Sequence, residues 1–243
     1  MSDASLLVLA GAFAGGLVSG LTGFGTGLVT LPIWLHALPP LLASPLVVVC
    51  SVVAQLQTLP AIWHAVDLRR LAPFIAGGAL GAPVGAWLLP HVSPAAFRLG
   101  LGVVLAVLCG VLLAGRVPVR VSRGGRLADG LVGLGGGLLG GVAGLSGPLP
   151  TLWASLRGWG RDERRAVFQG FNFCVLAFAL VAQAVAGYLT VPLGWLVLTA
   201  LPGTVAGAWI GRRLYGRLDA DRFQRVVLAV LLLAGIAMIG SSL

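Results

Sequence analysis

Long apolar stretches separated by short polar loops make up most of the chain. A helix needs about 20 apolar residues to cross a bilayer. Eight stretches reach about that length, at residues 5–35, 44–63, 71–90, 96–115, 127–156, 165–187, 193–211 and 223–242. The first and the fifth are about 30 residues long, and each contains a glycine-rich motif, GLTGFGTG (20–27) or GVAGLSGP (141–148). The pattern predicts an all-α integral membrane protein of eight hydrophobic segments, two of them broken at glycine.

The two glycine-rich motifs are unfavourable in a helix that faces lipid. Glycine is about 1 kcal/mol less favourable than alanine within a helix, and a broken backbone finds no hydrogen-bond partner in hydrocarbon. A break in mid-membrane is therefore expected to be buried in protein, beside a cavity or a ligand. The alternative is that these glycines only allow helices to cross closely.

All 16 basic residues are arginine, and their distribution among the loops distinguishes two ways of threading the segments. If all eight segments cross the bilayer, six arginines fall on one side and ten on the other. If the two broken segments enter and leave on the same side, 15 arginines share one side and Arg98 alone lies on the other. Cytoplasmic loops carry the excess of basic residues, so the second arrangement is favoured. It predicts two re-entrant hairpins in the inner (cytoplasmic) membrane, with cytoplasmic arginine-rich loops and both termini outside.

The chain also repeats its own pattern. Three pairs of stretches match in order at offsets of 121 to 123 residues: GLVSGLTGFGTG (16–27) with GLLGGVAGLSGP (137–148), GAPVGAW (81–87) with GTVAGAW (203–209), and VVLAVL at 103–108 and 226–231. Three ordered matches at a nearly constant offset indicate an internal duplication.

The duplication divides a single membrane domain, 1–243, into a first repeat (1–115), an arginine-rich cytoplasmic linker (116–126) and a second repeat (127–243). Each repeat then holds one re-entrant broken helical hairpin plus three transmembrane helices. Three crossings are an odd number, so the second repeat is inverted relative to the first. Many secondary transporters consist of such inverted repeats, with a substrate site where broken helices meet near the midplane.

Two further series of glycines indicate close helix packing. The third segment carries Gly77, Gly81 and Gly85, and the seventh carries Gly203, Gly207 and Gly211. Small residues four apart lie on one face of a helix and let membrane helices approach each other closely. We expect these glycines to be packing positions rather than ligand positions.

The hairpin arrangement brings the starts of two helices to the centre of the protein. Thr26 and Ser146 are the expected N-caps of these helices, and Pro148 suits the first turn of the second helix. A helix start offers unpaired N–H groups and about half a positive charge, so two starts facing one cavity can bind an anion without a buried basic residue. The carbonyl groups that end the preceding helices leave a cation site as the alternative.

Polar residues within the crossings complete the predicted site. Intramembrane polar groups tend to face a cavity, although a hydrogen bond between helices explains any single one at least as well. Gln55 and Asn172 are the favoured oxyanion donors. The predicted substrate-binding residues are Gly23, Gly25, Thr26, Gly27, Gly144, Ser146, Gly147, Gln55, Gln169 and Asn172.

Composition disfavours several other classes of protein. The net charge of +9 comes from arginines in loops between membrane segments, so nucleic acid is not an expected partner. Cys50, Cys109 and Cys174 lie within apolar runs, and no Cys/His cluster or nucleophile–base pair has a recognisable spacing. We therefore expect no metal, cofactor or catalytic residue, and no enzyme. The expected partners are a small anionic substrate and the lipid bilayer, and a homo-oligomer stays open.

The motifs resemble those of the sulfite exporter TauE/SafE family of membrane transporters. The resemblance rests on GFGTGLVTLP (23–32), GLSGPLP (144–150) and RRAVFQGFN (164–172), with Thr26, Ser146 and Pro148 in place of family glycines. It implies transport of a small sulfur-containing anion: sulfite, thiosulfate, a sulfonate or another organosulfur acid. With the inverted repeat, it favours a secondary transporter that works by alternating access, and an anion channel of the same architecture is the alternative.

Overall fold

The computed structural model describes residues 3–61, 67–114, 125–157, 161–214 and 220–241. These residues form ten α-helices and no strand, so the predicted all-α class is confirmed. The helices are α1 (Asp3–Thr22), α2 (Thr26–Trp34), α3 (Pro40–Thr58), α4 (Leu68–Leu88), α5 (Pro94–Ala114), α6 (Gly125–Ala143), α7 (Pro148–Leu156), α8 (Arg161–Val185), α9 (Val191–Leu214) and α10 (Ala220–Gly240). The predicted linker 116–126 lies outside the described residues except for its last two, with which α6 begins.

Six of these helices are long and apolar enough to cross a membrane, namely α1, α3, α4, α5, α8 and α9. In α10, the apolar stretch Arg225–Gly240 is shorter. Helix α6 is 19 residues long but is rich in glycine and carries Arg126 and Asp129, which lower its hydropathy. The described chain is thus a multi-pass membrane protein.

Both glycine-rich motifs break the helix, as the sequence predicts. Helix α1 ends at Thr22 and α2 begins at Thr26, while α6 ends at Ala143 and α7 begins at Pro148. Three glycines in the two breaks have positive φ angles: Gly23 (85°), Gly25 (103°) and Gly144 (67°). Residues with a side chain rarely adopt this left-handed backbone conformation, so glycine is needed where the chain leaves the helix.

Each broken segment folds back on itself as an antiparallel helical hairpin. The indole nitrogen of Trp34, at the end of α2, donates to the carbonyl oxygen of Val8 in α1 at 3.2 Å. Gly25, at the start of α2, instead lies beside Val18, near the end of α1. Helices α6 and α7 are arranged in the same way, because Arg157 at the end of α7 donates to Gly125 O at the start of α6 (3.2 Å).

Each hairpin packs its first helix against a helix from the other half of the chain. Helix α6 packs on α4 and α1 packs on α9, with glycines at the contacts. A Cβ atom added to any of these glycines would press into a backbone carbonyl oxygen of the facing helix: Gly77, Gly81 and Gly85 face Gly130, Leu134 and Leu138, whereas Gly203, Gly207 and Gly211 face Leu9, Phe13 and Leu17. The predicted packing role of both glycine series is confirmed.

Helices α3 and α8 contact each other and also contact the two hairpins. Most of the buried polar side chains outside the hairpins lie on them, including Ser51 and Gln55 of α3 and Gln169, Asn172 and Gln183 of α8. The remaining pair, α5 and α10, packs at Gly102 and Gly235. The polar interior of the protein is therefore concentrated where α3 and α8 meet the two helix breaks.

Candidate functional site

The two helix breaks meet inside the protein. A Cβ atom on Gly27, in the first turn of α2, would lie 3.0 Å from the Leu145 side chain and 3.1 Å from Gly144 O. A Cβ atom on Gly147, at the second break, would lie 3.3 Å from the Phe24 ring. Glycine at these positions lets one break approach the backbone of the other.

A small cavity lies between the breaks. The first break contributes residues 24–28, the second contributes Gly144, Leu145, Gly147 and Pro148, and the central helices contribute Ser51 and Asn172. The space open to the centre of a water molecule is about 10 Å³, which suits roughly one water. The described residues that line it include no arginine and no carboxylate, so the charge that they present comes from backbone and side-chain dipoles.

The start of α2 leaves its backbone amides free, although its cap differs from the prediction. The N-cap is Gly25, in the left-handed conformation and without a side-chain cap, and Thr26 is the first helical residue. The first helical bond runs from Val29 N to Gly25 O at 3.2 Å. The N–H groups of Thr26, Gly27 and Leu28 therefore have no acceptor among the described residues. The prediction that Thr26 caps this helix is wrong, and the absence of that cap leaves one more amide available.

The start of α7 offers fewer free N–H groups than the start of α2. Gly147 O accepts the first helical bond, from Thr151 N at 3.1 Å, so Gly147 directly precedes the helix and the predicted N-cap Ser146 does not. Pro148 and Pro150 have no N–H group, which leaves Leu149 as the one donor among the first three helical residues. The two helix starts are thus not equivalent anion donors: α2 offers three free amides and the first turn of α7 offers one.

Six of the ten predicted residues line the cavity, and four lie behind it. The lining residues are Gly25, Thr26, Gly27, Gly144, Gly147 and Asn172. The four behind them are Gly23, Gln55, Ser146 and Gln169, all buried. The structure therefore brings most of the predicted residues together at the cavity. The sequence could not distinguish those that line it from those that lie behind the lining.

The two glutamines flank Gly23 at the first break. Gln55, only 1% exposed, donates from Nε2 to Gly23 O at 2.9 Å. Gln169 is completely buried, and a Cβ atom on Gly23 would collide with its amide group. Neither the amide nitrogen nor the amide oxygen of Gln169 has a hydrogen-bond partner among the described residues. Gln55 thus holds the broken backbone, and Gln169 fills the space left by the missing side chain of Gly23.

Other side chains satisfy further carbonyl groups that the breaks expose. The hydroxyl of Thr22 donates to Phe24 O at 2.6 Å in the first break. Gln183 of α8 donates to Gly141 O at 3.0 Å, in the last turn of α6. A non-helical backbone is tolerated at membrane depth when protein groups supply such bonds. The breaks are therefore built into the interior rather than exposed to lipid.

Ser51 lines the cavity although it is not among the predicted site residues. It is 4% exposed, and its hydroxyl has no hydrogen-bond partner among the described residues. The repeat contains the signal that finds it, because Ser51 precedes Asn172 by 121 residues, the offset of the glycine-rich motifs. The apolar lining residues that the prediction also missed are Phe24, Leu28, Leu145 and Pro148.

A charged cluster joins the two helices of the second hairpin near their far ends, away from the break. Asp129 Oδ1 accepts from Trp153 Nε1 at 2.6 Å and from Arg157 at 2.9 Å. Asp129 is 8% exposed, and the Arg157 guanidinium also lies over the Trp153 ring. This cluster fixes the spacing of α6 and α7 at the end opposite the cavity.

Two broken helical segments that meet at a small cavity, within a bundle of membrane-length apolar helices, define a polytopic membrane protein. The sequence pattern of the sulfite exporter TauE/SafE family matches residues 7–238. The chain therefore belongs to this family of membrane transporters, and the resemblance noted in its motifs is confirmed. No curated protein and no solved structure matches the chain.

Proposed function

We propose that the protein is a secondary transporter that moves a small sulfur-containing anion across the membrane by alternating access. The substrate is sulfite, thiosulfate, a sulfonate or another organosulfur acid, and it binds in the cavity between the two helix breaks. The observation that carries this proposal is the uncapped start of α2, whose free amides are adjacent to the cavity that Ser51 and Asn172 also line.

The chemistry of the lining favours an anion over a cation. A helix start carries about half a positive charge, and its free N–H groups point at a ligand in front of it. No carboxylate is found among the described residues of the cavity wall, where it could hold a cation. Neutral donors also suit transport, because they stabilise the anion without the strong attraction of a buried arginine, which would slow its release.

The size of the cavity favours a transporter over an anion channel. A sulfur oxyanion is larger than the roughly one water that the cavity holds. The two breaks must therefore separate to admit a substrate. A site that is too small for its substrate until the two breaks move apart is expected in alternating access, whereas a conducting channel keeps a continuous path.

We further propose that the two halves are related by inverted topology in the inner membrane. The helix pairs α1–α9 and α4–α6 support this relation. Each joins the first helix of one hairpin to a helix of the other half, and the two helices so contacted, α9 and α4, carry matching stretches of the repeat. In this proposed arrangement the hairpins are re-entrant, both termini lie outside and the arginine-rich loops lie in the cytoplasm. A homo-oligomer is compatible with this arrangement.

Flux measurements test the proposed function. The purified protein, reconstituted in proteoliposomes, is expected to show saturable uptake of a sulfur anion and counterflow. Gly25→Leu and Gly147→Leu are expected to abolish flux, since the first forces a side chain into a left-handed backbone and the second fills the space beside Phe24. Gly110→Leu is the matched control, because a side chain there enters open space. Non-saturating flux would favour the channel, and normal flux in both site variants would remove the site.

Cysteine labelling tests the topology. Single cysteines are placed within residues 116–124, between α5 and α6, and within residues 158–160, between α7 and α8, of a variant that lacks Cys50, Cys109 and Cys174. Intact cells are then exposed to an impermeant thiol reagent. The inverted-repeat proposal predicts protection of both loops until the membrane is permeabilised. Labelling of the two loops from opposite faces would contradict it.

A further inference from the structure

Ser51 and Asn172 occupy corresponding positions in the two halves of the chain. Each lies on a central helix, α3 or α8, and each contributes a polar side chain to the cavity. The interval of 121 residues between them equals the offset of the two glycine-rich motifs. The cavity is therefore flanked, in each half, by a polar side chain of the central helix.

The hydroxyl of Ser51 has an unusual environment for a helical serine. Hydroxyl groups inside a helix commonly bond to the carbonyl group one turn earlier. Thr30 bonds to Thr26 O at 2.8 Å, and Thr204 bonds to Ala200 O at 3.2 Å in this way. The Ser51 hydroxyl makes no such bond, although the residue is 4% exposed. A buried hydroxyl without a partner at the wall of a cavity is available to donate to a ligand.

Asn172 is held by a second serine. The hydroxyl of Ser146, which is completely buried, donates to Asn172 Oδ1. This bond uses the amide oxygen as its acceptor, and the Asn172 NH₂ group makes no hydrogen bond among the described residues. Ser146 itself does not line the cavity. The serine therefore determines which end of the amide a ligand meets.

We infer that Ser51 and Asn172 are paired side-chain donors to the bound oxyanion, and that Ser146 positions Asn172 for this role. The inference rests on the proposed function and extends it. Together with the free amides of α2, the two side chains surround an anion with donors from both halves of the chain. This arrangement suits the SO₃ group of a sulfite or sulfonate, whose three oxygens accept several bonds at once.

Substitution of Ser51 tests the first part of the inference. Binding of sulfite and methanesulfonate to the purified full-length protein is measured by titration calorimetry. A hydrogen bond to a charged group corresponds to about tenfold or more in affinity, so Ser51→Ala is expected to raise Kd by at least about tenfold. Ser19→Ala is the matched control, because Ser19 is also buried with an unpartnered hydroxyl but does not line the cavity. Its Kd is expected to stay within about twofold of the original.

The role of Ser146 is tested by a double-mutant cycle with Asn172. Ser146→Ala is expected to weaken binding by several-fold when Asn172 is present and to have no further effect in Asn172→Ala, because it acts through that residue. Independent, multiplicative losses would overturn the positioning role. Equal affinity of Ser51→Ala and the original protein would overturn the paired-donor role. If the original protein binds no sulfur anion, the proposed function fails together with the inference; if it binds and the variants bind equally, only the inference fails.

Discussion

Replacement of Gln55 by leucine tests why the first helix break is stable inside a membrane. The Gln55 side chain is 1% exposed and donates to Gly23 O at 2.9 Å. Leucine has a similar size but no donor, so Gln55→Leu leaves that carbonyl oxygen buried without a replacement from water. Such a loss costs about 1–3 kcal/mol. For a chain of this length, Tm falls by about 2–4 °C for each kcal/mol, so a decrease of roughly 2–12 °C is expected.

The matched control is Gln57→Leu, two residues away on the same helix. Gln57 is half-buried, and its side-chain nitrogen has no hydrogen-bond partner among the described residues. Replacing Gln57 therefore breaks no hydrogen bond from that nitrogen. Thermal unfolding of both variants in detergent can be followed by the fluorescence of the seven tryptophans. We expect a lower Tm for Gln55→Leu and no decrease for Gln57→Leu.

Equal Tm values for the two variants would refute this reasoning. The bond to Gly23 would then contribute no measurable stability, and packing alone would hold the break. A decrease for Gln55→Leu alone, in contrast, would show that a side chain from α3 replaces the hydrogen bond that the helix gives up at Gly23.

Two further predictions concern helix packing and charge. Gly85→Ala presses a Cβ atom into Leu138 O and is expected to cost at least about 1–3 kcal/mol, whereas Gly100→Ala enters open space and is expected not to lower Tm. A melting experiment that shows equal Tm for both would exclude tight packing of α4 on α6. Asp129→Asn weakens a largely buried ion pair and is expected to cost up to about 3 kcal/mol, compared with at most about 1 kcal/mol for Asp67→Asn in an exposed pair. Equal stability of these two variants would show that the Asp129 cluster does not hold the second hairpin.

The helix breaks and the packing glycines could be predicted from the sequence because each depends on a local rule. Glycine is the residue that reaches positive φ without strain, and Gly23 and Gly144 have such angles. Small residues four apart form one face of a helix regardless of what packs there. Neither feature requires knowledge of which helices are neighbours.

The caps could not be predicted from side-chain chemistry alone, because a glycine precedes each helix in place of the polar residue. Ser146 has the right chemistry for an N-cap, but its hydroxyl bonds to Asn172, on another helix. Thr26 lies one position inside the helix because Gly25 is able to turn the chain before it. In both cases the glycine-rich backbone sets the helix start, and the polar side chain next to it is left to make other contacts.

The sequence alone also could not determine which glycines of the two repeats correspond. The motifs align Gly81 with Gly203, at an offset of 122. By their contacts, however, Gly77 corresponds to Gly203, since their facing residues, Gly130 and Leu9, are 121 residues apart. A series of glycines spaced by four matches itself equally well after a shift of four. Only the facing helix distinguishes the two alignments.

The exchange of partners between the halves has a consequence for the order in which the protein assembles. Helix α1 packs on α9, which begins about 170 residues after α1 ends, whereas α4 meets α6 after a much shorter interval. During synthesis the α4–α6 contact can therefore form first. The face of α1 that contacts the α9 glycines has no partner until most of the chain has been made. A first half made alone retains its hairpin but lacks the surface on which that hairpin is seated, so separately expressed halves are expected to become stable only when they are produced together.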